Sequence, residues 1–311
     1  MYILGYDVGG TKISAVVGHE NGDIVKKITR RTMKDYGKTG ITDQLISMGE
    51  ELIKKTGIEE ISRIGIIFAG PVDSKNGIII SSPNIIGLKN YNITSKLKSH
   101  FNASVYLQND ASACTIAEKL YGSAKNLPNF VYITLSTGIG GGIFIDNKLY
   151  TGNHGMAGEL GHMVILPNGP ICGCGRRGCL EAIASGKGIA RRVVENISAI
   201  RNSTIFSDMN PADIDAKKIF AAKRAGDMFA QLIVEETIYY LAVGIVNIIN
   251  ILDPEAIIIG GGISLEGDDL FKPLRMAVKE EMKSMKRPVK ILKALKNGAD
   301  LGSIAITQYS D

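Results

Sequence analysis

Two hydrophobic periods alternate along this chain. Short apolar runs recur at residues 3–6, 12–18, 24–28, 64–68, 77–81 and 105–107, those at 64–68 and 77–81 closed by glycine or proline turns, and each predicts a strand. Residues 43–56 instead repeat at helical spacing, with Leu45, Ile46, Met48, Leu52 and Ile53 on one face. A second helix is predicted over 111–121, after the strand that delivers Gln108-Asn109-Asp110. Residues 130–152 read strand, glycine turn, strand, tight turn, strand. Helices follow near 186–198, 215–225 and 227–252, then a strand at 256–259 and a last helix near 301–309. Residues 198–214 are turn-rich and predict a surface loop.

The pattern repeats itself. The opening "ILGYDVGGTKISAVVGHENGDIV" has the same order of elements as "FVYITLSTGIGGGIFIDNKLYTG". Laying Gly9-Gly10 on Gly140-Gly141 puts Asp7 opposite Gly138. The expected fold is α/β with an internal βββ duplication, one copy in each of two related domains. The second copy turns without a carboxylate, so the fold does not require Asp7. A turn aspartate bonding its own backbone is one reading of Asp7; a divalent metal held near phosphate is the other, and the unneeded charge favours it.

Composition narrows the classes. At 311 residues the chain is long enough for two domains, and 45% hydrophobic with 22% charged residues is ordinary for a globular protein. The formal net charge is +5. Basic residues are densest over 279–296, where a solvated helix face is expected rather than a nucleic-acid footprint. No signal peptide is recognisable at the start. The apolar stretch 237–252 holds Asn247 and Asn250 and stops at Asp253-Pro254, which predicts a buried core helix and no membrane span. A cytoplasmic location is expected.

Three glycine turns carry candidate chemistry: Gly9-Gly10-Thr11, Gly138 to Gly142 including Gly140, and Gly260-Gly261-Gly262. Successive N–H groups in such turns make concavities that bind anions. Thr11, Lys12 and Thr137 add donors. A G-x-x-x-x-G-K-[ST] phosphate loop is absent, as is G-x-G-x-x-G opening an early helix. Three turns at strand ends in two similar halves fit a nucleotide held in a cleft.

A second cluster lies in "CGCGRRGC", where Cys172, Cys174 and Cys179 follow His162. Three thiols and one imidazole make a full tetrahedral set for zinc, with no position left open for catalysis. Cysteines two apart seldom reach disulfide geometry. Cys114 stands apart and reads as a small buried residue. Glu159 and Glu181 flank the loop; as bare sequence they are solvated charges or site residues.

The chain resembles the ROK sugar kinases of the sugar kinase/actin/Hsp70 superfamily. The resemblance rests on "DVGGTK" (7–12), "LSTGIGGGIFIDNKLYTGNHGMAGELGHM" (135–163) and "CGCGRRGCLE" (172–181), and it spans nearly the whole chain. It implies two actin-like, ribonuclease H-like domains flanking a cleft. The first would cover 1–110, completed by a helix near 298–311; the second would cover 111–297 with the zinc loop at 162–181. The resemblance further implies that Asp7, Gly9, Gly10, Thr11, Lys12, Thr137, Gly138 and Gly140 hold ATP phosphates, with Gly260, Gly261 and Gly262 beside adenosine. Asp7 would hold Mg²⁺ through water. Asp110 would be the catalytic base on the sugar 6-hydroxyl, although an N-cap is the plainer reading of an aspartate at a strand–helix junction. Asn84, Asn109, Glu159, His162 and Glu181 would contact the sugar, and zinc would be structural.

The leading expectation is therefore an ATP-dependent hexose kinase acting on glucose. N-acetylmannosamine and N-acetylglucosamine kinases are the near alternatives. A sugar-responsive repressor would need a helix-turn-helix ahead of the first strand, and here that strand starts at Tyr2. A non-catalytic sensor would need no Asp110. Family resemblance also implies a homodimer or homotetramer.

Overall fold

A computed structural model describes residues 1–82, 84–197, 204–285 and 288–309. β1 (Tyr2–Val8), β2 (Lys12–His19) and β3 (Ile24–Arg31) form an antiparallel meander. α1 (Gly37–Thr56) follows and ends at Gly57 in the left-handed conformation. β4 (Arg63–Phe68) pairs parallel to β1. A small antiparallel sheet of β5 (Val72–Asp73), β6 (Ile78–Ser81) and β7 (Lys89–Asn92) precedes α2 (Ile93–Phe101). β8 (Ser104–Asn109) pairs parallel to β4 and runs straight into α3 (Asp110–Leu120). The first large sheet has the order β3-β2-β1-β4-β8.

The order is then repeated. β9 (Phe130–Leu135), β10 (Ile139–Ile145) and β11 (Lys148–Leu149) are followed by α4 (Leu180–Ala184), α5 (Gly186–Asn196), α6 (Ala216–Arg224) and α7 (Met228–Leu252). β12 (Ala256–Gly260), α8 (Asp268–Glu281), β13 (Lys290–Lys293) and α9 (Gly298–Ala305) complete the chain. The second large sheet has the order β11-β10-β9-β12-β13, with β12 parallel to both β9 and β13. The duplication thus covers five strands, two more than the sequence pattern suggested.

The register of the repeat differs from the expected one. β1 ends at Val8 and β2 starts at Lys12; β9 ends at Leu135 and β10 starts at Ile139. Each connection is three residues, so Gly10 matches Thr137, Thr11 matches Gly138 and Asp7 matches Thr134. Gly140, Gly141 and Gly142 lie inside β10 and not in the turn. Packing explains two of these glycines: a Cβ on Gly141 would overlap the Leu160 side chain, and one on Gly142 would overlap Thr115. Thr134 carries no charge either, so Asp7 remains dispensable to the fold.

The chain divides into two compact units. One comprises Met1–Pro128, Gly142–Ala157 and Leu295–Asp311; the other comprises Asn129–Gly141 and Gly158–Ala294. The first includes α3, which a division after residue 110 assigns to the second; α3 packs on α9. The first unit's core sets Leu4, Tyr6 and Val8 of β1 against Ile41, Leu45, Met48 and Leu52 of α1. Each such side chain contributes about 1.5–3 kcal/mol on burial. In the second unit, α7 is long and apolar enough to cross a membrane. Its Ile233, Val234, Ile238, Leu241, Ile245 and Ile249 are instead buried, and α7 packs on α4, α5, α6 and α8. Among the described residues, the basic stretch 279–296 is not one helix face, since only its first three residues lie on α8. α8 stops at Glu281, and β13 uses Ile291 as a buried strand position beside β12. Residues 286 and 287, Pro83 and the start of the expected loop, 198–203, lie outside the described residues, as do 310 and 311.

Candidate functional site

In the first unit, β1, the central strand of its sheet, carries Asp7 near its C-terminal end, just before the turn 9–11. The Gly9 N–H donates to the Lys12 carbonyl (3.1 Å), and the Thr32 hydroxyl and N–H donate to the carbonyls of Gly9 (2.7 Å) and Thr11 (3.0 Å). The N–H groups of Gly10 and Thr11 have no partner among the described residues. Neither Gly9 nor Gly10 has a positive φ. Gly10 is glycine for space, because a Cβ there would overlap Cβ of Asn84. The structure thus seats Asn84 directly on this turn.

The capping question at β8–α3 has a clear outcome. Asn109 is the cap: its Oδ1 accepts from the N–H groups of Ala111 (3.0 Å) and Ser112 (3.3 Å). Its Nδ2 donates to the Gly70 carbonyl at 3.3 Å. Asp110 is the first helical residue, and one of its oxygens accepts from the Ala111 N–H (2.9 Å). Its charge is felt at Asp7, whose carboxyl is pushed up from 3.8 to about 6. Burial is the largest cause, then the charges of Asp110 and Asp300, opposed by Lys12 and Lys27. Asp300, at the start of α9, accepts from the Ser14 hydroxyl (3.1 Å) and pairs with Lys27 (2.6 Å). No motif pointed to Asp300; its one signal was an acidic residue among the apolar positions of the last helix.

In the second unit, the matching turn 136–138 is built from other parts. The Ser136 N–H donates to the Gly138 carbonyl (2.9 Å). The N-terminal N–H groups of α5 reach the turn from Gly186 to the Ser136 carbonyl (2.7 Å) and from Lys187 to the Thr137 carbonyl (3.3 Å). Oε2 of Glu181 accepts from the Ile139 N–H at 2.9 Å, and a Cβ on Gly138 would overlap that oxygen. Thr137 and Gly138 N–H groups have no partner among the described residues. A cavity of about 460 Å³ opens beside the turn, lined by Thr137, Lys187, Ile214, Lys217, Gly262 and Ile263 among others. It brings the second and third glycine turns together. Gly140 is not among its walls. Lys187, Ile214 and Lys217 were not singled out in the sequence, since only tertiary packing gathers them.

The same unit gathers His162, Cys172, Cys174 and Cys179, with one ligand atom from each lying within 4.8 Å of the others. His162 Nδ1 is 3.5 Å from Cys172 Sγ, and the sulfurs of Cys174 and Cys179 are 3.7 Å apart. A tetrahedron with Zn–S near 2.3 Å has edges of about 3.8 Å, so the four residues fit that ion. Gly175 at φ +86° lets the Cys172–Gly175 turn close, and Gly178 at φ +72° passes too near Leu166 O for any side chain. Burial pushes the thiol of Cys179 up to about 12 and that of Cys172 upward, while the Arg176 N–H lowers Cys174. His162 Nε2 points the other way, 3.8 Å from Oε2 of Glu159.

Residues 3–307 match the ROK family. A glucokinase from Thermotoga maritima is 40% identical over 89% of this chain and 86% of its own. An N-acetylmannosamine kinase from Haemophilus influenzae is 34% identical over 85% of this chain and 82% of its own. Among solved structures, a ROK family glucokinase from Streptomyces griseus in complex with glucose and AMPPNP superposes with TM-score 0.82 at 30% identity, covering 99% of this chain and 98% of that one.

Proposed function

The chain belongs to the ROK family, and from that premise we propose that it is an ATP-dependent hexose kinase with glucose as its preferred acceptor. The observation that carries the chemistry is a turn made twice, each copy with two adjacent N–H groups that have no partner among the described residues, of which the first alone stands beside two carboxylates, Asp7 and Asp110. Paired N–H groups suit phosphate oxygens. In the second unit, Thr137 and Gly138 take phosphates, and the cavity walled by Ile214, Gly262 and Ile263 takes the adenosine. In the first unit, Gly9, Gly10, Thr11 and Lys12 face phosphate as well.

Asp110 accepts the proton of the sugar 6-hydroxyl as that oxygen bonds to the γ-phosphorus. The β–γ bridging oxygen departs with ADP, and the sugar 6-phosphate forms. Because Asn109 does the capping, the Asp110 carboxylate is not needed to start the helix. Asp7 is a hard oxygen donor in a field of other carboxylates, a chemistry that fits Mg²⁺ held through water. When bound, the metal neutralises charge on the transferring phosphoryl group. By the family resemblance, Asn84 and Asn109 orient sugar hydroxyls, and Glu159 and His162 are assigned the same task. Zinc held by His162, Cys172, Cys174 and Cys179 is structural, since four protein ligands leave no open position. Free thiols of this kind persist in a reducing cytoplasm.

An N-acetylmannosamine kinase is the second reading, favoured by the Haemophilus influenzae relative. ADP release with Mg-ATP across glucose, mannose, N-acetylglucosamine and N-acetylmannosamine separates the two. Asp110→Asn is expected to keep sugar affinity and lose about 10²–10⁴-fold in turnover. Substantial turnover in that variant would remove the base assignment.

A further inference from the structure

Thr32 lies outside the turn 9–11 and is bonded to it twice. We propose that Thr32, held in place by Gln44, is a positioning residue for phosphoryl transfer: its hydroxyl fixes the direction of the Gly10 N–H, and with it the turn's hold on the nucleotide phosphates. The proposal rests on the kinase reading above. Thr32 follows β3 directly and is buried. Its hydroxyl donates to the Gly9 carbonyl (2.7 Å) and its N–H to the Thr11 carbonyl (3.0 Å). In a trans peptide, the carbonyl of one residue and the N–H of the next point in opposite directions, and no described peptide bond is cis. Holding the Gly9 carbonyl against Thr32 therefore turns the Gly10 N–H away from it. That N–H and the N–H of Thr11 have no partner among the described residues. Thr32 thus pins the peptides 9–10 and 11–12, and the peptide that carries the Thr11 N–H lies between them.

The same geometry recurs one layer further in. Gln44 lies in α1 among Ile41, Leu45 and Met48 and is buried with them. A glutamine in such a place costs stability unless its amide is bonded. Its Nε2 donates to the Arg31 carbonyl (2.8 Å), and its Oε1 accepts from the Met33 N–H (3.0 Å). Those two groups belong to the peptides on either side of Thr32. Holding the Arg31 carbonyl directs the Thr32 N–H the opposite way, onto the Thr11 carbonyl. α1 thereby reaches the turn through two hydrogen-bonded steps, Gln44 and then Thr32. Gly9 and Gly10 have the backbone freedom to take many other conformations. Donors fixed before the ligand arrives bind it without that ordering cost. Next to Asp7 and Asp110, they are also aimed where charge develops on the transferring phosphoryl group.

The test is calorimetric titration of the full-length protein with AMPPNP and Mg²⁺, and separately with glucose alone. Thr32→Val keeps the shape of the side chain and the backbone bond to Thr11, and loses the hydroxyl. It is expected to weaken AMPPNP binding about 10-fold, near the upper end for one neutral hydrogen bond, and to raise KM for ATP by a similar factor. Thr32→Ser restores a hydroxyl donor, so affinity should return to within about 3-fold of the parent. Gln44→Met keeps the length of the side chain, loses both bonds and should shift AMPPNP affinity in the same direction as Thr32→Val. Glucose affinity should stay within about 3-fold of the parent in all three variants, which also reports that each is folded. Unchanged AMPPNP affinity in Thr32→Val would overturn the proposal and leave the kinase reading standing. Thr32→Ser as weak as Thr32→Val would overturn it too, because packing and not the hydroxyl would then set affinity. So would equal losses of AMPPNP and glucose binding in Thr32→Val, which a merely structural Thr32 produces. A parent protein that binds neither AMPPNP nor any sugar would end both readings.

Discussion

The turns 9–11 and 136–138 occupy the same place in two sheets of the same strand order. Both expose two consecutive N–H groups, yet nothing else about them is shared. The first is braced by a threonine hydroxyl and by a neighbouring strand end, with the half-buried carboxylate of Asp7 just ahead of it. The second is braced by a glutamate and a helix N-terminus, and the residue matching Asp7 is the neutral Thr134. Strand order and turn length are common to the two copies, whereas the bonds and side chains around each turn differ. A duplicated architecture can therefore hold phosphate at both turns while placing metal and base chemistry at one.

Removing the His/Cys cluster of the second unit is the severest way to break that comparison. Cys179 is fully buried in the His/Cys cluster, and a structural metal stabilises by many kcal/mol. Cys179→Ser should abolish zinc binding and lower the unfolding midpoint by roughly 10 °C, at about 2–4 °C per kcal/mol for a domain of this size. Metal analysis with calorimetry reads both. Full zinc occupancy in the variant would mean the cluster does not bind as assigned.

Adding one methyl group to each turn sharpens the contrast. Gly10→Ala drives its Cβ into Cβ of Asn84, which moves only if the backbone moves. Gly138→Ala meets the far end of Glu181, which swings aside but gives up the Ile139 N–H. We expect Gly10→Ala to lower kcat/KM by about 100-fold or more, near the 3 kcal/mol end of overpacking effects. Gly138→Ala should lower it by about 10-fold, chiefly through KM for ATP. The double variant Gly138→Ala/Glu181→Ala should be no worse than either single one, because both remove the same bond. Additive losses would show that Glu181 acts elsewhere.

How much of this was legible in the sequence depended on whether a residue carries its own signal. The His162, Cys172, Cys174 and Cys179 set was legible because ligand chemistry dictates residue type and the three cysteines lie within eight residues. The meander and its repeat were legible from strand-length apolar runs. The register of the repeat was not, because three glycines in a row at 140–142 imitate a turn, while Gly141 and Gly142 serve the packing of Leu160 and Thr115 inside β10. α2 escaped notice because only Ile93 and Leu97 of its nine residues are buried. The basic run before β13 imitated a helix face because its charges recur every three or four residues, but pairing with β12 decided the outcome. Asp300 and Lys187 became visible only when α9 and α5 were packed, since neither sits in a motif.

The finest distinction between the turns is one of protonation. In the folded protein Asp7 titrates near 6, raised from 3.8, while Thr134 has no proton to exchange. Between those two values the folded state binds a proton that the unfolded state has released. Ionised Asp7 therefore costs stability above about pH 6, and the cost fades as pH falls towards 4. Asp7→Asn removes that cost, so its unfolding midpoint should exceed the parent's by a few degrees at pH 7.5, with the gap closing by pH 4. Mg²⁺ at millimolar levels should narrow the gap at pH 7.5 by binding the parent alone. The same proton competes with metal, so kcat/KM of the parent should fall as pH drops through about 6. Thr134→Val, at the matching position, should show neither the pH-dependent gap nor the Mg²⁺ response. An equal gap at pH 7.5 and pH 4 for Asp7→Asn would mean that packing, not charge, sets Asp7 apart from its counterpart in the second sheet.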